Sequence, residues 1–417
     1  MQLHTAKLCR ANEINMKESG CNSWSKINEG QSNYFASNAL SDSRLSLRLT
    51  MSKIWYTIYL SLFIFSCASA QSTSNQLEIS GLYGISSFTA EKYKLPGHLV
   101  GGEAVYHFNM ANNKADYVRL LNISSIDVVG SYRNLHSITI TNDPGSKKGA
   151  LGEVYALMGR LEIPFIKAGA TQFIFTPGFG FAYSTQTYFT NGNPLVGSHI
   201  NLAAQAGVKV KTPVSASTSI QAGIDIFHYS NGAYRVPNNG INTVEASVGI
   251  VQDINTSATI TGEHASDQYY KHSFEFGADI GRRGVYKSKQ GFYKSGFSAA
   301  YNYRVNPVFS LKGGADAVYY YTVFDPNNYE VTYQYNGTSY DRWRVGLSLG
   351  GDLWLGRFAV MANYGYYLHY KSTKPIHTYW TPGLKYYFLP WAAIQAKAYI
   401  HGSDCDYVGG GIMLRVH

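Results

Sequence analysis

From about residue 76 to the C-terminus, apolar and polar residues alternate in segments of roughly ten, closed by Gly, Asn, Pro or Lys. Successive side chains of a strand point to opposite faces, so this rhythm requires strands whose two faces meet different media. Phe358, Val360, Ala362, Tyr364, Tyr366 and Leu368 share one face, with Ala359, Met361, Asn363, Gly365 and Tyr367 between them. Ala392, Ile394, Ala396, Ala398 and Ile400 interleave with Gln395, Lys397, Tyr399 and His401. Phe274, Phe276, Ala278 and Ile280 alternate with Glu275 and Asp279. The 35 tyrosines and the low charged fraction of 15% suit strands, and long helix-forming runs are missing.

Two features decide which media these are. Met51-Ser52-Lys53 opens a short basic stretch, Ile54 to Phe65 follows as an apolar run, and Cys67-Ala68-Ser69-Ala70 ends in a small-x-small site. That order reads as an export signal over 51–70, cut after Ala70. A looser reading of Ile64-Phe65-Ser66-Cys67 as a lipoprotein box competes with it. Residues 1–50 show neither periodicity and read as a disordered upstream extension, with Met51 as the start. Second, Tyr319-Tyr320-Tyr321, Tyr366-Tyr367, Trp380 and Trp391 place aromatics where a barrel carries its interfacial girdles. Past the leader no apolar run approaches the roughly 20 residues of a membrane helix.

The expectation is an all-β fold, a transmembrane antiparallel β-barrel of roughly 12–16 strands in the bacterial outer membrane. Residues 71–417 are expected to form one barrel. Weak alternation over 111–148 keeps the strand number open. Gly223 to Tyr229 echoes Gly314 to Tyr320, through duplication of a smaller barrel or through shared packing rules. The net charge of +9 is scattered along the strands, which suits an anionic lipid and gives no footprint for nucleic acid. Only Cys405 follows the predicted cleavage point, so no internal disulfide is expected. No Cys/His spacing suggests a metal, and no cofactor is expected.

Chemistry concentrates at Asp225-Ile-Phe-His-Tyr-Ser-Asn-Gly-Ala-Tyr-Arg-Val-Pro-Asn-Asn-Gly-Ile-Asn242. Ile220, Ala222, Ile224 and Ile226 form an apolar face, and the same parity brings His228 and then Ser230 to the lipid side. Ionisable groups facing lipid are costly, which points to function. Same-face neighbours stand about 6.5–7 Å apart at Cα, within reach of an imidazole–hydroxyl contact. His228 is then a candidate base for a Ser230 nucleophile. Asn242 leads the apolar face Val244, Ala246, Val248 and Ile250 of the next strand and shares the surface of His228. Glu245 has the opposite parity and should enter the lumen with Thr243 and Ser247. The same residues also fit an interfacial rim, and Asn231, Gly232, Pro237, Asn238 and Gly240 fit an ordinary turn.

His228-Tyr-Ser-Asn-Gly232 followed by Pro237-Asn-Asn-Gly-Ile241 resembles the active-site signature of the PagL family of lipid A 3-O-deacylases. The matched region spans 150–252 and includes Gly152-Glu153-Val154 and Pro177-Gly178-Phe179-Gly180. The resemblance implies a Ser230 nucleophile, a His228 base, and Asn231 and Asn238 on the oxyanion side. The side-chain amides and loop N–H groups of this turn, Gly232 included, also fit an oxyanion and substrate role by their own chemistry. It implies removal of an ester-linked 3-hydroxyacyl chain from lipid A of lipopolysaccharide in the outer leaflet. Asn242 stands where the family places Glu; the outer-membrane phospholipase A family similarly uses Ser-His-Asn. Family members built as one small barrel are far shorter, and 253–417 carries no motif of its own. Three other readings fit the residues: a porin-like or uptake barrel with a dead motif, which requires a wide open lumen, an esterase acting on phospholipid, and a structural or adhesive barrel, which long outer loops would favour.

Overall fold

The computed structural model describes residues 74–89, 93–141, 149, 151–254, 269–324, 339–372 and 376–417. The expected leader over 51–70 and the extension over 1–50 lie outside the described residues. Sixteen strands account for most of the remainder. The first eight are β1 (Asn75–Phe88), β2 (Val100–Asn109), β3 (Ser125–Asn134), β4 (Glu153–Ala168), β5 (Thr171–Ser184), β6 (Ile200–Pro213), β7 (Thr218–Ser230) and β8 (Ile241–Ile254). The second eight are β9 (His272–Gly284), β10 (Gly291–Asn306), β11 (Phe309–Tyr320), β12 (Trp343–Leu355), β13 (Phe358–His369), β14 (Thr378–Leu389), β15 (Ala392–His401) and β16 (Asp404–Val416). Two short helices, α1 (Asp116–Leu120) and α2 (Tyr188–Asn191), lie in connections. The weak alternation over 111–148 has a cause: α1 and irregular loops flank β3, the one strand described there.

The expectation of one barrel is corrected. β1–β8 close on themselves through β1–β8 pairing, and β9–β16 close through β9–β16 pairing, giving two antiparallel eight-stranded barrels. The strand count of the fold stands; its partition into two cylinders was not anticipated. The echo between Gly223–Tyr229 and Gly314–Tyr320 falls on β7 and β11, the seventh strand of one barrel and the third of the other. It therefore reflects common packing rules rather than equivalent positions.

Both barrels are inside out relative to a soluble sandwich. Ile79, Leu157, Ile224, Val248 and Ile250 are exposed on the first, and Phe274, Phe276, Leu347, Leu349 and Ile394 on the second. Leu349 is 74% exposed, whereas Glu245 and Asp352 are 0% exposed. Such an apolar outer surface is stable only in lipid.

The buried charges neutralise one another. Inside the first barrel, Arg133 Nε lies 2.9 Å from Glu245 and Nη2 lies 3.3 Å from Glu103. Arg160 reaches Asp127 at 3.0 Å and Glu78 at 3.2 Å. In the second, Lys385 Nζ is 2.6 Å from Asp352 and 2.9 Å from Glu275, and Lys397 is 3.4 Å from Asp279. Charges removed from water need such partners, and an eight-stranded barrel leaves room for little more than its own side chains. A porin-like barrel needs a wide lumen, and these filled interiors argue against that reading.

Most connections sort by end; the exceptions are β2–β3, where 110–124 with α1 lies at the end of the short turns, and β15–β16, joined by two residues at the other end. β4–β5, β6–β7, β10–β11, β12–β13 and β14–β15 are joined by two to four residues, at the end that also carries the start of β1 and the end of β16. β1–β2, β3–β4, β5–β6 and β7–β8 are joined at the opposite end of the first barrel, over longer stretches of chain. Outer-membrane barrels keep short turns on the periplasmic side and longer loops outside. The two barrels lie within one compact unit. α1 touches β12 at the short-turn end, while loop 231–240 meets the β9–β10 connection at the long-loop end.

Candidate functional site

β7 carries Ile220, Ala222, Ile224, Ile226, His228 and Ser230 on its outer face, and Gln221, Asp225, Phe227 and Tyr229 inside. His228 and Ser230 therefore leave the barrel wall on the lipid side, at the long-loop rim. β8 pairs with β7 so that Asn242 stands directly opposite His228. Thr243, Glu245 and Ser247 point inward and are buried, as their parity required.

The three outward side chains form a chain of hydrogen bonds. His228 Nε2 is 3.0 Å from Ser230 Oγ, and His228 Nδ1 is 2.9 Å from Asn242 Oδ1. Asn242 is anchored by its Nδ2, which donates to the Phe88 carbonyl at 3.2 Å. With Asn242 Oδ1 as acceptor, the proton of neutral His228 belongs on Nδ1. Nε2 then accepts from the Ser230 hydroxyl. That is the arrangement in which a histidine can take a serine proton.

The loop after β7 is tightly built. The Asn231 N–H donates to Asn238 Oδ1 at 2.8 Å. The Asn231 side chain donates to the Arg235 carbonyl at 3.0 Å and accepts the Arg235 N–H at 3.3 Å. Its amide is thus committed to holding the loop. The Gly232 N–H and Asn238 Nδ2 have no acceptor among the described residues. Gly232 and Gly240 sit at φ of +60° and +64°, where a side chain would be strained. A Cβ on Gly240 would fall 2.9 Å from His228 Cε1 and 3.2 Å from Ser230 Cβ. The sequence offers Gly240 as a turn residue or as part of an oxyanion-stabilising loop. Its close approach to His228 depends on how loop 231–240 folds back, and the anchoring carbonyl of Phe88 on where a distant strand comes to lie, and neither is visible in a local pattern.

One trio among the described residues, Glu78, His107 and Glu162, brings potential metal-ligand atoms within 4.8 Å of one another. It lies buried inside the first barrel, where His107 is 3.0 Å from Asp127 and 3.3 Å from Glu78. Arg160 and Lys209 bring further positive charge to Glu78. Positive charge already present there makes the trio part of the ion-pair filling of the barrel.

Comparison with known proteins places both barrels. Residues 126–251 match the family described as lipid A 3-O-deacylase (PagL), and residues 272–417 match acyloxyacyl hydrolase, C-terminal domain. No curated protein matches the chain significantly. Among solved structures, the outer-membrane enzyme PagL is similar at 15% identity, covering 41% of this chain and 97% of its own, with a TM-score of 0.28. The siderophore receptor PirA from Pseudomonas aeruginosa aligns at 9% identity over 84% of this chain and 82% of its own, with a TM-score of 0.19. Omp33 of Acinetobacter baumannii aligns at 8% identity over 83% of this chain and all of its own, with a TM-score of 0.16. Matched over six strands of the first barrel and all of the second, this outer-membrane chain belongs to the PagL family of lipid A 3-O-deacylases.

Proposed function

We propose that this protein hydrolyses the ester of a 3-hydroxyacyl chain on lipid A, with Ser230 as nucleophile, His228 as general base and Asn242 as the group that orients the imidazole. One observation carries the reading: both imidazole nitrogens are engaged, Nε2 by Ser230 at 3.0 Å and Nδ1 by Asn242 at 2.9 Å, on the lipid-facing wall. A hydrogen-bonded Ser–His pair facing lipid is costly to place there, and catalysis is the use that such a pair serves.

The long-loop rim sets the site at the level of the outer leaflet. An acyl chain lying along β7 and β8 contacts Ile226, Val244 and Ala246, and its ester stands at the rim. Ser230 Oγ attacks the carbonyl carbon as its proton passes to His228 Nε2. The negative charge forming on the carbonyl oxygen is met by the Gly232 N–H and Asn238 Nδ2. Collapse expels the sugar oxygen, which takes the proton from His228. Water then releases the fatty acid from Ser230 by the same steps in reverse roles. Asn231 acts by positioning the two donors through its bonds to Asn238 and Arg235.

Mass spectrometry of lipid A from cells expressing the protein or its Ser230→Ala variant tests this. Loss of one 3-hydroxyacyl chain with the native protein alone supports it, provided the variant still migrates as a folded barrel. Unchanged lipid A with release of fatty acid from phospholipid would move the activity to another substrate. Unchanged lipids throughout would refute an esterase.

A further inference from the structure

We infer that the second barrel completes the substrate site, its β9–β10 connection joining Arg235 to form a cationic clamp for a phosphate on the lipid headgroup. The inference rests on the lipid A reading and specifies how the headgroup is held.

The two barrels are hydrogen-bonded to each other at the loop that follows Ser230. The Gly284 N–H donates to the Ala233 carbonyl at 2.8 Å, and the Lys287 N–H to the Val236 carbonyl at 2.9 Å. Contact is close enough that a Cβ on Gly284 would lie 2.8 Å from Val236 N, and one on Gly232 would lie 2.2 Å from a Val408 methyl. The segment Arg282-Arg-Gly-Val-Tyr-Lys-Ser-Lys289 carries four basic residues and no acidic one. Arg283 is held by Asp404 at 3.3 Å.

Arg282 is arranged differently. Its Nη2 donates to the Lys289 carbonyl at 2.8 Å, and Arg235 Nη1 donates to that same oxygen. Both guanidinium groups flank the Tyr234 ring, at 5.0 Å for Arg282 and 5.7 Å for Arg235. Among the described residues neither Arg235, Arg282 nor Lys289 has a carboxylate within ion-pair distance. Two like charges converging on one neutral oxygen repel each other, and a bound dianion removes that cost. Guanidinium groups recognise phosphate oxygens through paired, charge-assisted hydrogen bonds. The clamp is tied to the reacting centre, since Asn231, the residue after Ser230, grips the backbone of Arg235 at both N–H and carbonyl.

The test uses the full-length protein in detergent micelles, with phosphorylated lipid A and the same lipid after phosphatase treatment. Native protein is expected to show about tenfold higher kcat/KM on the phosphorylated form, carried by KM, the scale of a charge-assisted hydrogen bond. Arg282→Gln and Arg235→Gln should each collapse that ratio toward one, while Arg282→Lys should keep part of it. Inorganic phosphate should compete weakly; competition as strong as that of the lipid would show a site for the free anion and overturn a headgroup clamp. An unaltered ratio in both Gln variants, or equal losses on both substrates, would also overturn it. Binding to vesicles doped with either lipid provides a second readout. If native protein releases no fatty acid but Arg282→Gln loses discrimination between the vesicles, the esterase reading fails and the clamp stands. If hydrolysis is robust and vesicle discrimination is absent, the reverse holds.

Discussion

Asn242→Ala isolates the orienting contact. Asn242 Oδ1 is 2.9 Å from His228 Nδ1, and its other amide atom is spent on the Phe88 carbonyl. The side chain therefore reaches the reaction only through the imidazole. As the Ser230 proton arrives at Nε2, the Nδ1–H becomes part of a cation and its bond to Oδ1 strengthens. A bond between neutral groups contributes about 1 kcal/mol net, and one to a charged group about 1.5–3 kcal/mol. The transition state accordingly loses about 1–1.5 kcal/mol more than the ground state, a fall in kcat of about tenfold. KM should hold within about twofold, since the contact made is not with substrate. Fatty-acid release by purified protein across a range of lipid A concentrations measures both. Asn242→Glu supplies a charged acceptor in the family's manner, and it should exceed the Ala variant despite losing the Phe88 contact. An Ala variant with native kcat would refute an orienting role. One as inert as Ser230→Ala would show that Asn242 does more than orient.

Gly240→Ala forces a side chain into a left-handed backbone position and against His228 Cε1. It should cut kcat by at least about tenfold by tilting the ring away from Ser230, with folded-barrel migration in gels retained. Native kcat in that variant would mean that the ring position is not critical. Glu245→Ala should leave kcat near native, because Glu245 points into the lumen. It should still lower stability by about 2–4 kcal/mol by stripping Arg133 of its nearer partner, Glu103 remaining at 3.3 Å. Kinetics combined with denaturant unfolding in micelles separates the two effects, and a kcat loss matching that of His228→Ala would overturn the face assignment.

What the sequence determined by itself was orientation. Period-two alternation is a local property, so parity counted from Ile220 put His228 and Ser230 on the lipid face, and parity from Val244 put Asn242 beside them and Glu245 inside. The bonding partners of His228 followed from those faces and one strand pairing. Closure was decided elsewhere. Whether strand eight returns to strand one or passes on to strand nine depends on pairing between Asn75–Phe88 and Ile241–Ile254, segments far apart in the chain, and no local pattern encodes it. The same reason hid Phe88 behind Asn242 and the β9–β10 connection against Ala233 and Val236. Those contacts exist only because two separately closed cylinders stand side by side, so only the tertiary structure could join a second barrel to the rim of the first.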